Sequence, residues 1–152
     1  MHIDFETYSS VDLKERGLAN YAMDQSTGIH CMAYAMGDED PDILTVFDDC
    51  PAIIRDWVES GKIVYAHNAA FELALWNAKL VPQGWPPLLP EQMRCTLAMA
   101  YAMSRARAAP RSTTESSESS LDAIVKTASF LAARLTCPKV RSDAVIAVAS
   151  DA

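Results

Sequence analysis

Asp4 and Glu6 stand one position apart near the start of a 152-residue chain. On an extended strand, side chains alternate between faces, so these two carboxylates share one side while Ile3, Phe5 and Thr7 share the other. Two carboxylates held side by side repel each other, and a cation between them removes the repulsion. All-oxygen ligands of this kind suit hard ions, Mg²⁺ or Mn²⁺. A solvated acidic edge strand satisfies the same spacing, so the pair gains meaning only from a second segment.

That segment runs from Ala66 through His67, Asn68, Ala69, Ala70 and Phe71 to Glu72. It reads as the end of a strand followed by the start of a helix, the place where open α/β sheets put their ligands. Asn68 suits the helix N-cap, and Glu72, near the first turn, is favoured by the helix dipole. If the two strands are neighbours, Asp4, Glu6 and Glu72 converge on one spot that needs cations. A single His before a helix reads as a hydrogen-bonded structural residue rather than a ligand, so His67 is left out of the metal set.

The elements that must position these groups follow from periodicity and turn chemistry. Strands are expected over 3–7, 29–36 and 43–47, with the acidic stretch Asp38, Glu39, Asp40 and Asp42 as a solvated hairpin turn. A helix is expected over 50–60, where Ile53, Ile54, Trp57 and Val58 share a face and Gly61 ends it. A short apolar strand over 63–66 follows, then a helix over 69–79, a Pro-rich loop over 81–90, and a strand running into a helix over 93–103. Trp85, between the prolines, is assigned to the edge of the core.

The chain is long enough for one domain with a hydrophobic core. Its net charge of −7 argues against a broad basic nucleic-acid face but not against a metal-dependent enzyme acting on phosphodiesters. Cys31, Cys50, Cys95 and Cys137 form no Cys-x-x-Cys pair. Reduced thiols and a soluble, cytoplasmic protein without a membrane span are therefore expected. Composition changes near Met103: every Gly, Trp, Tyr and His precedes it. Residues 104–152 form a Ser/Ala/Arg-rich tail, read as a poorly ordered linker with one amphipathic helix over 121–135 and an undecided segment over 140–148.

Asp4, Phe5, Glu6 and Thr7, followed by the run from His67 to Glu72, resemble the first and second motifs of the DEDD superfamily of 3′–5′ exonucleases. Residues 94–97 resemble the segment after the second motif. Within that superfamily, residues 1–103 resemble the N-terminal proofreading domain of family A DNA polymerases from bacteriophages and prophages. The resemblance implies an α/β, ribonuclease H-like mixed β-sheet flanked by helices. It also implies two Mg²⁺ or Mn²⁺ ions about 3.5–4 Å apart and hydrolysis releasing nucleoside 5′-monophosphates. Asp4 would bridge both ions, Glu6 would hold the ion that generates hydroxide, and Glu72 would support the second. Thr7, Asn68 and Phe71 would contact the terminal nucleotide. The implied partners are a single-stranded DNA 3′ end or primer–template and a polymerase domain or replication partner.

The third motif of that superfamily, a Tyr or His shortly before a fourth acid, has no counterpart. The last His is His67, the last Tyr is Tyr101, and Asp122, Asp143 and Asp151 have neither just upstream. The chain thus reads as a partial exonuclease domain with an out-of-frame or degraded continuation. Two alternatives stand beside the DNA exonuclease: a truncated, non-catalytic remnant with weak nucleic-acid binding, and a DEDD-type exoribonuclease.

Overall fold

A computed structural model describes residues 1–45 and 47–108. The tail readings over 109–152, including the helix over 121–135 and the segment over 140–148, lie outside the described residues.

Among the described residues, five strands form one sheet: β1 (His2–Tyr8), β2 (Gly28–Ala35), β3 (Asp42–Leu44), β4 (Val64–Ala66) and β5 (Met93–Cys95). Their spatial order is β3-β2-β1-β4-β5, so the N-terminal strand is central. β2 runs antiparallel to both β1 and β3, whereas β4 is parallel to β1 and β5 parallel to β4. Helices α1 (Leu13–Met23), α2 (Ala52–Glu59), α3 (Ala69–Leu75) and α4 (Thr96–Ala108) complete an α/β domain whose mixed sheet is flanked by helices. Among the described residues, no helix is long and apolar enough to cross a membrane.

The expected strands are present, with β3 ending earlier, at Leu44. Helix α1 fills the stretch between Tyr8 and Gly28 to which the sequence reading gave no element. Asp12 starts it by accepting hydrogen bonds from the backbone N–H groups of Lys14 (2.7 Å) and Glu15 (3.1 Å). Gly17, at φ 76° and ψ 162°, interrupts it, which weakens the helical periodicity that would announce it. Helix α4 continues past Met103 to Ala108, beyond the expected boundary.

The core lies on one face of the sheet. Ile3, Phe5 and Met32 point into it together with Ile54 and Val58 of α2 and Leu75, Trp76 and Leu80 from α3 and the π-helical turn after it. Trp76 is fully buried, donates from Nε1 to the Pro86 carbonyl (2.9 Å), and meets the Trp85 ring edge-on at 5.3 Å. The Trp85 indole in turn donates to the Phe47 carbonyl (2.9 Å). Asn77 closes a two-way clamp on Leu88, donating to its carbonyl (2.9 Å) and accepting from its N–H (3.1 Å). Buried Gln92 donates to the Val58 carbonyl (2.9 Å) and accepts from the Leu89 N–H (3.2 Å). The proline-rich loop is thereby fixed by hydrogen bonds that satisfy its buried polar groups. The exposed Arg55–Glu59 pair, at 3.6 Å, adds little beside these.

Trp76→Ala removes the indole from this junction and leaves the Pro86 carbonyl without its donor. Stability should fall by about 3–5 kcal/mol, as for other buried Trp truncations, measured by urea unfolding.

Candidate functional site

Cross-strand partners on an antiparallel pair share a face, so the register of β1 against β2 shows where each acid lies. Phe5 opposes Met32 on the core face. Asp4 opposes Ala33 and Glu6 opposes Cys31 on the other face. Ala33 and Ala35 form a separate small buried apolar cluster there. His2 and Tyr65, paired across β1 and β4, stack on this face with ring centroids 4.9 Å apart. Beside Glu6 the β1–β2 register shifts, the step from Cys31 to Ile29 passing over His30. Bulges of this kind raise local twist and re-aim neighbouring side chains.

Glu72 lies on a separate element, in the first turn of α3. β4 ends at Ala66, and His67 and Asn68 turn the chain into α3. Asn68 takes a left-handed conformation (φ 65°, ψ 51°), which Asn tolerates better than other non-glycine residues. Its side chain makes no capping bond, correcting the expectation that it caps α3; its carbonyl accepts from the Phe71 N–H (2.9 Å) instead. Asn68 is exposed, while Glu72 in the first turn is only 3 % exposed and Asp4 only 8 %. A carboxylate that deep is costly unless charge or hydrogen bonds compensate it.

The three predicted substrate-contact residues divide. Thr7 Oγ1 lies 3.0 Å from the Tyr21 hydroxyl, and the Tyr21 ring packs against Phe71 with centroids 6.0 Å apart. Thr7 and Phe71 are therefore joined through Tyr21, on the α1–α3 side of the sheet, while Asn68 is exposed at the start of α3. Tyr21 was not singled out from the sequence. The available signal was Asp12 followed three residues later by Glu15, a helix-start pattern that would have placed α1 beside β1.

His67 has a structural tie: its Nδ1 lies 3.3 Å from Thr96 Oγ1, and the Thr96 hydroxyl donates to the Ala66 carbonyl (3.3 Å). Next to it, Cys95 sits where α3 and α4 both begin. Burial raises the Cys95 pKa, but hydrogen bonds from the backbone N–H groups of Ala98, Ala69, Asn68 and Leu97 outweigh it and bring the thiol below its ordinary value. Cys50 is the opposite case: burial, opposed by Arg55 and aided by Glu59, pushes it up to about 11. Both are free thiols.

The donor set of Asp4, Glu6 and Glu72 is all carboxylate oxygen, the chemistry preferred by Mg²⁺ and Mn²⁺, and Mg²⁺ retains several waters while using one or two protein carboxylates. In donor type the residues fit such an ion. They do not close into a three-ligand cage: among the described residues, no group of three or more His, Cys, Asp or Glu side chains is arranged to hold a metal. A cavity of about 400 Å³ lies beside Tyr8, and another of about 410 Å³ lies against α1 beside Arg16 and Asn20. Neither is lined by the three acids.

No family model, curated protein or solved structure matches the chain significantly.

The two free thiols should differ sharply in reactivity. At pH 8 a thiol titrating near 11 is about one part in a thousand thiolate, so iodoacetamide should modify Cys95 well before Cys50 in the native protein. Peptide mapping by mass spectrometry checks the order, and Cys95→Ser should remove the fast phase.

Proposed function

We propose that residues 1–108 form a ribonuclease H-like, DEDD-type 3′–5′ exonuclease domain that removes nucleotides from a single-stranded DNA end, as a phage-type polymerase proofreading domain does. One observation carries the reading. Asp4 is nearly buried on the central strand of a mixed sheet, and Glu72 is nearly buried in the first turn of the helix that follows the adjacent parallel strand. A solvated acidic edge strand, the plainer account of the Asp4–Glu6 spacing, does not fit a central strand with Asp4 only 8 % exposed.

Asp4, Glu6 and Glu72 would hold the divalent ions. Bound Mg²⁺ or Mn²⁺ supplies Lewis-acid stabilisation of the phosphodiester and a more acidic water. The chain's own residues supply binding and orientation. Asn68, exposed at the start of α3, offers an amide to the terminal nucleotide. Phe71, braced by Tyr21, supports the floor beneath it, and Tyr21 fixes the Thr7 hydroxyl at 3.0 Å. The expected product is a nucleoside 5′-monophosphate.

A second reading is favoured by two specific observations: the absent third motif, and the lack of a three-ligand cage among the described residues. In it the domain is a non-catalytic remnant that keeps the sheet and binds single strands weakly.

A 3′-labelled DNA oligonucleotide incubated with Mn²⁺ separates the two. Release of labelled mononucleotide, abolished by Asp4→Ala and reduced at least about 100-fold by Glu72→Gln, is the expected result. An intact label with measurable binding supports the remnant. Faster release from a matched RNA assigns an exoribonuclease, and full activity of Asp4→Ala removes the assigned mechanism.

A further inference from the structure

We propose that the cavity beside Tyr8 is a subsite for one base of a single-stranded nucleic acid, selective for bases that carry an exocyclic amino group. The identity of the ligand rests on the nuclease reading; the base preference rests on the cavity itself. Tyr8 pairs with Gly28 at the carboxyl end of β1, two positions beyond Glu6, so the cavity opens at the same end of the sheet to which the acidic pair leads. Its volume of about 400 Å³ lies within the range of small-molecule sites.

The ring of Tyr8 is 48 % exposed yet held in place. It packs on the His30 ring with centroids 4.6 Å apart and lies so close to Gly28 that a Cβ there would meet it at 2.3 Å. An exposed aromatic ring, fixed over a glycine at the rim of a cavity, is a platform on which a base can stack. The polar lining points to the class of base. Asp48 presents a carboxylate, which only accepts hydrogen bonds when ionised. Gln83 donates its amide N–H to the Lys79 carbonyl (2.8 Å), turning its acceptor oxygen to other use. Lys79 donates to the Asp24 carbonyl (2.6 Å) and, with three N–H groups, has donors to offer a backbone phosphate as well. Acceptors in the cavity with a cation beside it match an amino-bearing base on a phosphodiester chain. The carboxylate disfavours a phosphate inside the cavity, and it disfavours thymine, whose O4 is an acceptor where cytosine has a donor.

Fluorescence anisotropy in EDTA, with labelled oligo(dC) and oligo(dT) octamers and the full chain, tests this without hydrolysis. Oligo(dC) should bind about fivefold tighter than oligo(dT), and Asp48→Asn should erase the difference. Tyr8→Ala should weaken binding about tenfold, whereas Tyr8→Phe should stay within about twofold of the parent. Gly28→Ala, which keeps the tyrosine but displaces its ring, should weaken binding with an unchanged circular-dichroism melt. Equal affinity for the two octamers, or a Tyr8→Ala protein that binds as the parent does, overturns the subsite, as does absence of binding to either. The nuclease reading is judged separately, by mononucleotide release in Mn²⁺. Tyr8-dependent binding without release keeps the subsite and removes the nuclease; release with Tyr8-independent binding does the reverse.

Discussion

Side-chain alternation along β1 is the constraint on which the rest of the domain depends. The strand is paired on both sides, antiparallel to β2 and parallel to β4, with the Tyr65 N–H donating to the Met1 carbonyl at 2.8 Å. Ile3 and Phe5 are thereby committed to the core, where Phe5 approaches the Trp76 ring at 6.5 Å. Asp4 and Glu6 are committed to the opposite face. A slip of one residue would place two carboxylates among Met32, Ile54 and Trp76 and remove Ile3 and Phe5 from that core. Register is therefore specified by the same residues that carry the candidate chemistry. Structure and function draw on alternate positions of one strand.

The second fixed point is the junction after α3. A π-helical turn and a Pro-rich loop are poor sources of intrinsic rigidity, yet here the backbone groups of Pro86, Leu88 and Leu89 each find a nearby indole or amide. Trp76 and Gln92 do this from inside the core, and Asn77 from the surface. The result is that α3, which carries Glu72 at one end and leads to Lys79 at the other, is held along its length.

Much of this was legible in the residues. The alternation of Ile3 to Thr7, the apolar run before His67 and the Gly61 stop each rest on local chemistry, and each appears where it was expected. What was not legible is instructive. Helix α1 was missed because Gly17 divides it into short pieces, so no stretch shows a sustained apolar stripe, and only the Asp12 cap remained as a signal. The Asn68 side chain was expected to cap α3 because Asn is a good cap; its left-handed backbone, demanded by the tight turn out of β4, takes that geometry away. The strand now seen as Asp42–Leu44 looked longer because Val46 and Phe47 are strand-favouring types, but Phe47 is drawn away to receive the Trp85 indole. Tyr21 could be seen to matter only once α1 and α3 were side by side. The acids themselves were legible as types and spacing; which face of the sheet they share was settled by pairing with Ala33 and Cys31.

Among the described residues, the outer strands of the sheet are β3 and β5, each three residues long. A border that brief offers an incoming strand very few unpaired backbone groups, too few to nucleate stacking of one molecule on the next. The β3 border also begins with a charged residue, Asp42, and the β5 border has Arg94 at its centre; charge on an outer strand discourages a further strand from joining. Among the described residues, a sheet built outward from an acidic central strand thus ends in borders that discourage the addition of a further strand.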